Sequence, residues 1–217
     1  MSNVDREVLK EKYGNEEVLA VRLGDLPSLE EGLNELQDDL IESIMDKSYF
    51  IPRWASDYNH EEVEIIPYPI IRTETTGLVF CVKRIKNSNE KRLLSKLSLG
   101  IGGHVNPSEG VSGKSLILSS TKRELMEELN FDSSIFDESD VSMEGLIRCF
   151  STSVDLDHVG VLIYVTVPDK YEDSITVRET DVVEGGFVPV HCLLEEEKNS
   201  LLENWSKIAL NALVGVE

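Results

Sequence analysis

Cysteine is scarce and unpatterned in this 217-residue chain: Cys81, Cys149 and Cys192 are odd in number, widely spaced and without a CxxC pair. That excludes a disulfide framework and a cysteine zinc site, and predicts reduced, buried thiols in a cytoplasmic protein. Basic residues are also few. Lys and Arg total 21 against 41 Asp and Glu, a formal charge of −20, so the clustered cations that hold a nucleic-acid backbone are missing and no nucleic-acid partner is expected. No apolar run approaches a membrane span, and no basic stretch precedes an apolar one at the N-terminus, so neither a membrane partner nor a signal peptide is expected. Repeats and low-complexity linkers are absent too. What remains is 41% apolar, enough for a core, and of a size that suits one domain. The acidity leaves phosphorylated small molecules open, because bound cations invert the field locally.

The first dozen residues are charged and expected to fray, and residues 17–23 alternate as a strand. Pro27 and Ser28 open a predicted helix carrying Leu29, Leu33, Leu36, Leu40 and Ile44 at steps of three and four, continuing towards Met45. Residues 49–54 (YFIPRW) are predicted non-helical, since Pro52 forces extension before it. Strands are expected at 63–71 and 77–85, a hairpin turn at 86–92, a glycine-rich loop after 97–103 and a helix over 115–130. Strands at 141–150, 159–167 and 187–190 and a last helix over 193–213 complete the reading. The pattern predicts an α/β fold, a mixed sheet covered by helices on two faces.

Chemistry concentrates between Gly102 and Phe131. On a helix, Glu124, Glu127 and Glu128 fall within an arc of roughly 100°, beside a core-facing stripe of Leu118, Leu125 and Leu129. Crowded carboxylates repel unless a positive group sits among them, and hard, oxygen-seeking Mg²⁺ or Mn²⁺ suits them. Arg123, four residues before Glu127, offers a rigid fork for the same acids. Gly102 and Gly103 permit close approaches before the helix, and Glu109 is near enough in sequence to join the metal site or orient it. The alternative for the helix alone is a solvated acidic face.

Together these pieces resemble the Nudix box, G-x5-E-x7-R-E-U-x-E-E-x-G-U, with U a bulky aliphatic. Gly103 and Glu109 match its first part, and Arg123, Glu124, Leu125, Glu127, Glu128 and Phe131 its second. Two departures stand out. The stretch from Glu109 to Arg123 is six residues longer than the pattern, and Asn130 replaces the last glycine. Asn is the commonest other residue in the left-handed conformation that ends helices. The segments YFIPRW, IIPYPIIR, LSLGIGGHV and LENWSK are similar to a Nudix subgroup described only as predicted phosphoesterases.

The resemblance implies a Nudix-type α/β/α sandwich over residues 1–217, with residues 1–60 as a packed strand–helix extension. It implies a pyrophosphohydrolase acting on a small-molecule nucleotide, a nucleoside diphosphate joined to another moiety. Mg²⁺ or Mn²⁺ would be held by Glu124, Glu127, Glu128 and Glu109, with Arg123 orienting the glutamates and Gly102, Gly103 and His104 near the substrate. A further loop acid is expected within residues 175–187, where Glu179 is preferred over Asp181 and Glu184, with Gly185 and Gly186 as a flexible loop end. A non-catalytic nucleotide sensor is one alternative. A diphosphate isomerase is another, needing a catalytic cysteine and a histidine cluster that the sequence does not place. Asp155, Asp157 and His158 are expected in a turn, His60 and His191 as surface or core filler, and Trp54 and Trp205 as packing residues. A homodimer is compatible with the sequence but not specified by it.

Overall fold

The structure, a computed structural model, describes residues 3–36, 40–57, 59–85, 96–107 and 111–215. The elements run α1 (Asn3–Tyr13), β1 (Glu17–Arg22), β2 (Gly32–Glu35), α2 (Leu40–Met45), β3 (Tyr49–Pro52), α3 (Arg53–Ser56) and β4 (Glu62–Thr73). They continue with β5 (Leu78–Arg84), β6 (Leu97–Ser98), α4 (Lys114–Glu128), α5 (Ser133–Glu138), β7 (Asp140–Arg148), α6 (Ser153–Leu156) and β8 (His158–Val167). A 3₁₀ turn (Asp169–Tyr171) precedes β9 (Val183–Pro189), α7 (Val190–Leu193), α8 (Glu196–Leu201) and α9 (Asn204–Val214). The expected hairpin turn at 86–92 lies outside the described residues.

The chain divides into two compact units, residues 1–67, 103–120 and 145–161 in the first and 68–102, 121–144 and 162–217 in the second. In the first, β3 and β4 flank β1 antiparallel, and β2 pairs antiparallel with β7. In the second, β5 pairs antiparallel with β4, β6 and β9. Strand β8 is parallel to β4: Glu64 N–H donates to the Asp157 carbonyl at one end and Glu74 N–H to that of Val167 at the other, a constant offset. The sheet is therefore mixed. Strands β1, β4 and β8 are buried along nearly their whole length, as strands covered on both faces must be. Among the described residues, no helix is long and apolar enough to cross a membrane.

Four expectations are corrected. Residues 3–13 form a helix, held where Arg53 stacks 4.3 Å from the Tyr13 ring and Lys10 lies 4.5 Å over Trp54. The helix expected from Ser28 is confined to α2, and the leucines before it belong to a loop and to β2. Asn34 accepts from Glu30 N–H at 2.8 Å and donates to the Glu30 carbonyl at 2.9 Å, a local closure that competes with helix. Leu33 then packs on Gly145, where a Cβ would come within 2.6 Å of it. Pro52 ends a strand as expected, but Arg53 and Trp54 begin α3.

The single terminal helix is three short ones. Between α8 and α9 the backbone leaves the helix to pair with β6, with Glu203 N–H donating to the Leu97 carbonyl at 3.0 Å. Glu203 caps α9 through Trp205 N–H and is held by Tyr68 Oη, by Ser206 Oγ at 2.9 Å and by Ser98 Oγ at 3.3 Å. Burial, then the charge of Glu203, pushes the Tyr68 hydroxyl well above its usual value, so it stays a neutral donor. The Tyr68 ring covers Gly100, where a Cβ would sit 2.3 Å from Tyr68 Cζ; only glycine fits.

Candidate active site

Helix α4 ends in the second unit, and its last turns carry the acids. Leu125 is fully buried at 0% exposure, which fixes the helix's rotation and leaves Glu124, Glu127 and Glu128 beside the core-facing stripe. Arg123 holds two of them: Nη2 lies 2.9 Å from Glu124 Oε1, and Nη1 donates to Glu127 Oε2 at 3.0 Å. Glu124 is nearly buried, whereas Glu127 is exposed.

Glu128 faces a small cleft of about 40 Å³ lined also by Arg84, Lys96, Gly102 and Glu203. It keeps exposed surface, while its carboxyl is partly desolvated. That desolvation raises its pKa to about 7, with Glu124, Glu179 and Glu127 adding repulsion and Arg84 opposing them. Three acids thus bear on the Glu128 carboxyl.

Glu179 is brought there by backbone pairing. Leu129 and Val177 form an isolated bridge, Arg178 N–H donates to the Glu128 carbonyl at 3.0 Å, and Arg178 Nε donates to that of Leu129 at 2.8 Å. Asn130 adds bonds to Thr176, from N–H to the carbonyl at 2.8 Å and from Nδ2 to Oγ1 at 2.7 Å. Asp181 follows Glu179, whereas Glu184 lies in β9 opposite Lys83. Gly185 and Gly186 are strand residues of β9, not a flexible loop end. At Gly185 a Cβ would come within 2.7 Å of Val177 Cγ1, so the glycine admits the segment that carries Glu179.

Against known proteins, no protein-family model matches the chain. It is 34% identical over 149 residues to Protein YmaB of Bacillus subtilis (strain 168), covering 68% of this chain and 69% of that protein. It is also similar to the crystal structure of Tm1382, described as a candidate Nudix hydrolase. That match has TM-score 0.73 and 26% identity, and covers 92% of this chain and 99% of the other. This chain belongs to the Nudix hydrolase superfamily.

Of the Nudix-box residues, the fold brings Arg123, Glu124, Glu127 and Glu128 together with Glu179, and puts Gly102 in the same cleft as Glu128. Glu109 lies outside the described residues. Gly102 and Gly103 are not among the glycines with positive φ, so the pair does not use a left-handed turn. Arg84, Lys96 and Glu203 were missed by the sequence reading, because a cation at a strand end or a helix cap has no motif of its own. The donor set of the Nudix acids is all oxygen, the chemistry that suits a hard divalent cation.

A second cluster lies in the first unit. Glu64 in β4, His104 after the glycine pair and His158 at the start of β8 place ligand atoms within 4.8 Å of one another. They are the one such trio among the described residues; the Nudix glutamates, with Arg123 between two of them, do not close up this far. Glu64 is completely buried. Burial by itself would raise its carboxyl, but His104, His158 and Ser56 outweigh it and hold the carboxyl below its usual value. Arg148, itself buried, fixes the approach to His158 by donating to the carbonyls of Asp155 at 3.2 Å, Leu156 at 2.9 Å and His158 at 2.5 Å. Of the residues expected in a turn, Asp157 is in one, whereas Asp155 lies in the short helix α6 and His158 begins β8. His60, expected as filler, has Nδ1 2.5 Å from Asp157 Oδ1. The signal for this cluster was a single glutamate in the otherwise apolar run VEIIPYPII.

Proposed function

We propose that the chain hydrolyses a diphosphate linkage in a nucleoside diphosphate joined to another moiety, using Mg²⁺ or Mn²⁺ held by Glu124, Glu127 and Glu128. The observation that supports this most is the charge of Glu124, Glu127 and Glu179 acting on Glu128, which faces the cleft that Arg84 and Lys96 line. A divalent cation there would supply charge neutralisation at the phosphate oxygens and a more acidic water. Arg123 orients Glu124 and Glu127 rather than touching substrate. Arg84 and Lys96 offer cationic donors to the diphosphate, Arg84 with planar geometry suited to phosphate oxygens. Glu179 would accept a proton from the attacking water, a role supported by the tie of its segment to the helix end through Arg178.

The test is turnover of a panel of nucleotide sugars, dinucleoside polyphosphates, ADP-ribose, nicotinamide dinucleotides and nucleoside triphosphates with Mg²⁺ or Mn²⁺. Hydrolysis at the diphosphate that stops in chelator is expected. Binding with no hydrolysis of any member would instead identify a nucleotide sensor.

A further inference from the structure

We propose that Glu64, His104 and His158 form a binding site for one divalent transition-metal ion of the zinc class, made of residues separate from the Nudix acids. The starting observation is a fully buried carboxylate whose neighbours are two imidazoles and the Ser56 hydroxyl. Glu64 is the lone acid in the buried run of β4, 0% exposed, and neither of its oxygens accepts an aligned hydrogen bond. A buried carboxylate is costly in general unless it is paired or binds metal, and the groups facing Glu64 are imidazoles, which are themselves metal ligands.

The two imidazoles face the same oxygen. His104 Nε2 is 3.0 Å from Glu64 Oε2 and His158 Nε2 is 3.6 Å from it. The first is close enough for a hydrogen bond but out of line for one, and the second is too long. These separations are those of ligands around an ion. With metal–ligand distances of about 2.0–2.1 Å, a tetrahedral site puts neighbouring ligand atoms about 3.3 Å apart. The two measured values bracket that figure. The rings lie 6.4 Å apart at 63°, crossed rather than stacked, with both Nε2 atoms near the same Glu64 oxygen.

Ligand chemistry selects the ion. Two imidazoles and one carboxylate suit Zn²⁺ or a neighbouring first-row ion, whereas Mg²⁺ prefers oxygen alone. Access follows from burial: Glu64 closes the inner side, while the side chains of His104 and His158 keep 20% and 16% exposure. Three protein ligands with one wet side leave a fourth position for water. The frame is prebuilt, since Glu64 N–H is bonded to the Asp157 carbonyl at 2.7 Å and Arg148 locks the corner before His158.

The test is titration of the chelator-stripped full chain with Zn²⁺ and with Co²⁺ in excess Mg²⁺, which occupies hard oxygen sites. One equivalent of Zn²⁺ is expected to bind. Co²⁺ is expected to give visible ligand-field absorption, and two of the four histidine imidazole signals should shift in NMR. His60→Gln and His191→Gln should leave that pair of shifts in place and so identify it. Glu64→Gln, nearly isosteric, and His158→Ala should each weaken Zn²⁺ binding at least tenfold. No stoichiometric Zn²⁺ binding would overturn the proposal, as would shifts confined to His60 and His191 or affinity unchanged in folded Glu64→Gln. The readouts are binding and spectra, so they are independent of whether the Nudix acids hydrolyse nucleotides.

Discussion

The backbone N–H of Arg178 donates to the carbonyl of Glu128 at 3.0 Å, which ties the strand-like segment before Glu179 to the end of the acidic helix. Through this bond a loop acid some fifty residues downstream becomes part of the electrostatic environment of the box. Glu179→Gln is therefore expected to lower kcat with unchanged thermal stability and to shift the acidic limb of the pH–rate profile. Wild-type rate and profile in that variant would transfer the role to Glu184 or remove it.

Glu127→Gln and Glu128→Gln should each cut turnover on the order of 10²-fold or more, the scale of losing one group that stabilises transition-state charge. Circular dichroism should be unchanged, because both side chains retain solvent-exposed surface. Wild-type turnover in either variant would end the metal-site assignment.

Glu128 also makes a stability prediction for the metal-free protein. Its folded pKa, about 7, lies above the usual 4.5. Such an acid favours folding below its unfolded pKa, and that contribution is lost as pH rises through the folded value. Wild-type Tm in chelator should thus fall relative to Glu128→Gln between about pH 4.5 and 7, and the two should run parallel outside that window. A difference in Tm that is flat with pH would show that desolvation and the neighbouring acids do not raise Glu128.

Gly100→Ala should destabilise the fold by about 1–3 kcal/mol, the cost of forcing a methyl into a filled site, here the Tyr68 ring. Chemical denaturation measures it. A Tyr68→Ala background should absorb part of the cost, because the clashing ring is gone; a full cost there would place the strain elsewhere.

The sequence alone was sufficient for the Nudix helix. Residue spacing at 3.6 per turn puts Glu124, Glu127 and Glu128 beside Leu125 and Leu129 whatever surrounds them, and the helix expected at 115–130 is observed at Lys114–Glu128. It also sufficed for most central strands, where β-branched runs such as those of β4 and β8 have no helical period. It failed where partners outside the segment decide the conformation. Leu29, Leu33 and Leu36 fit a helical stripe equally well, but pairing with β7 and the closure made by Asn34 select extended chain. The break before α9 depends on Leu97 and Tyr68, far away in sequence. The Glu64, His104 and His158 cluster was invisible for the same reason: its members are 40 and 54 residues apart, the parallel register of β4 with β8 brings Glu64 to His158, and the loop carrying His104 is held by the bond from Leu19 N–H to the Val105 carbonyl. Local spacing encodes what one helix face presents, whereas convergence across strands exists only after the sheet has fixed its register.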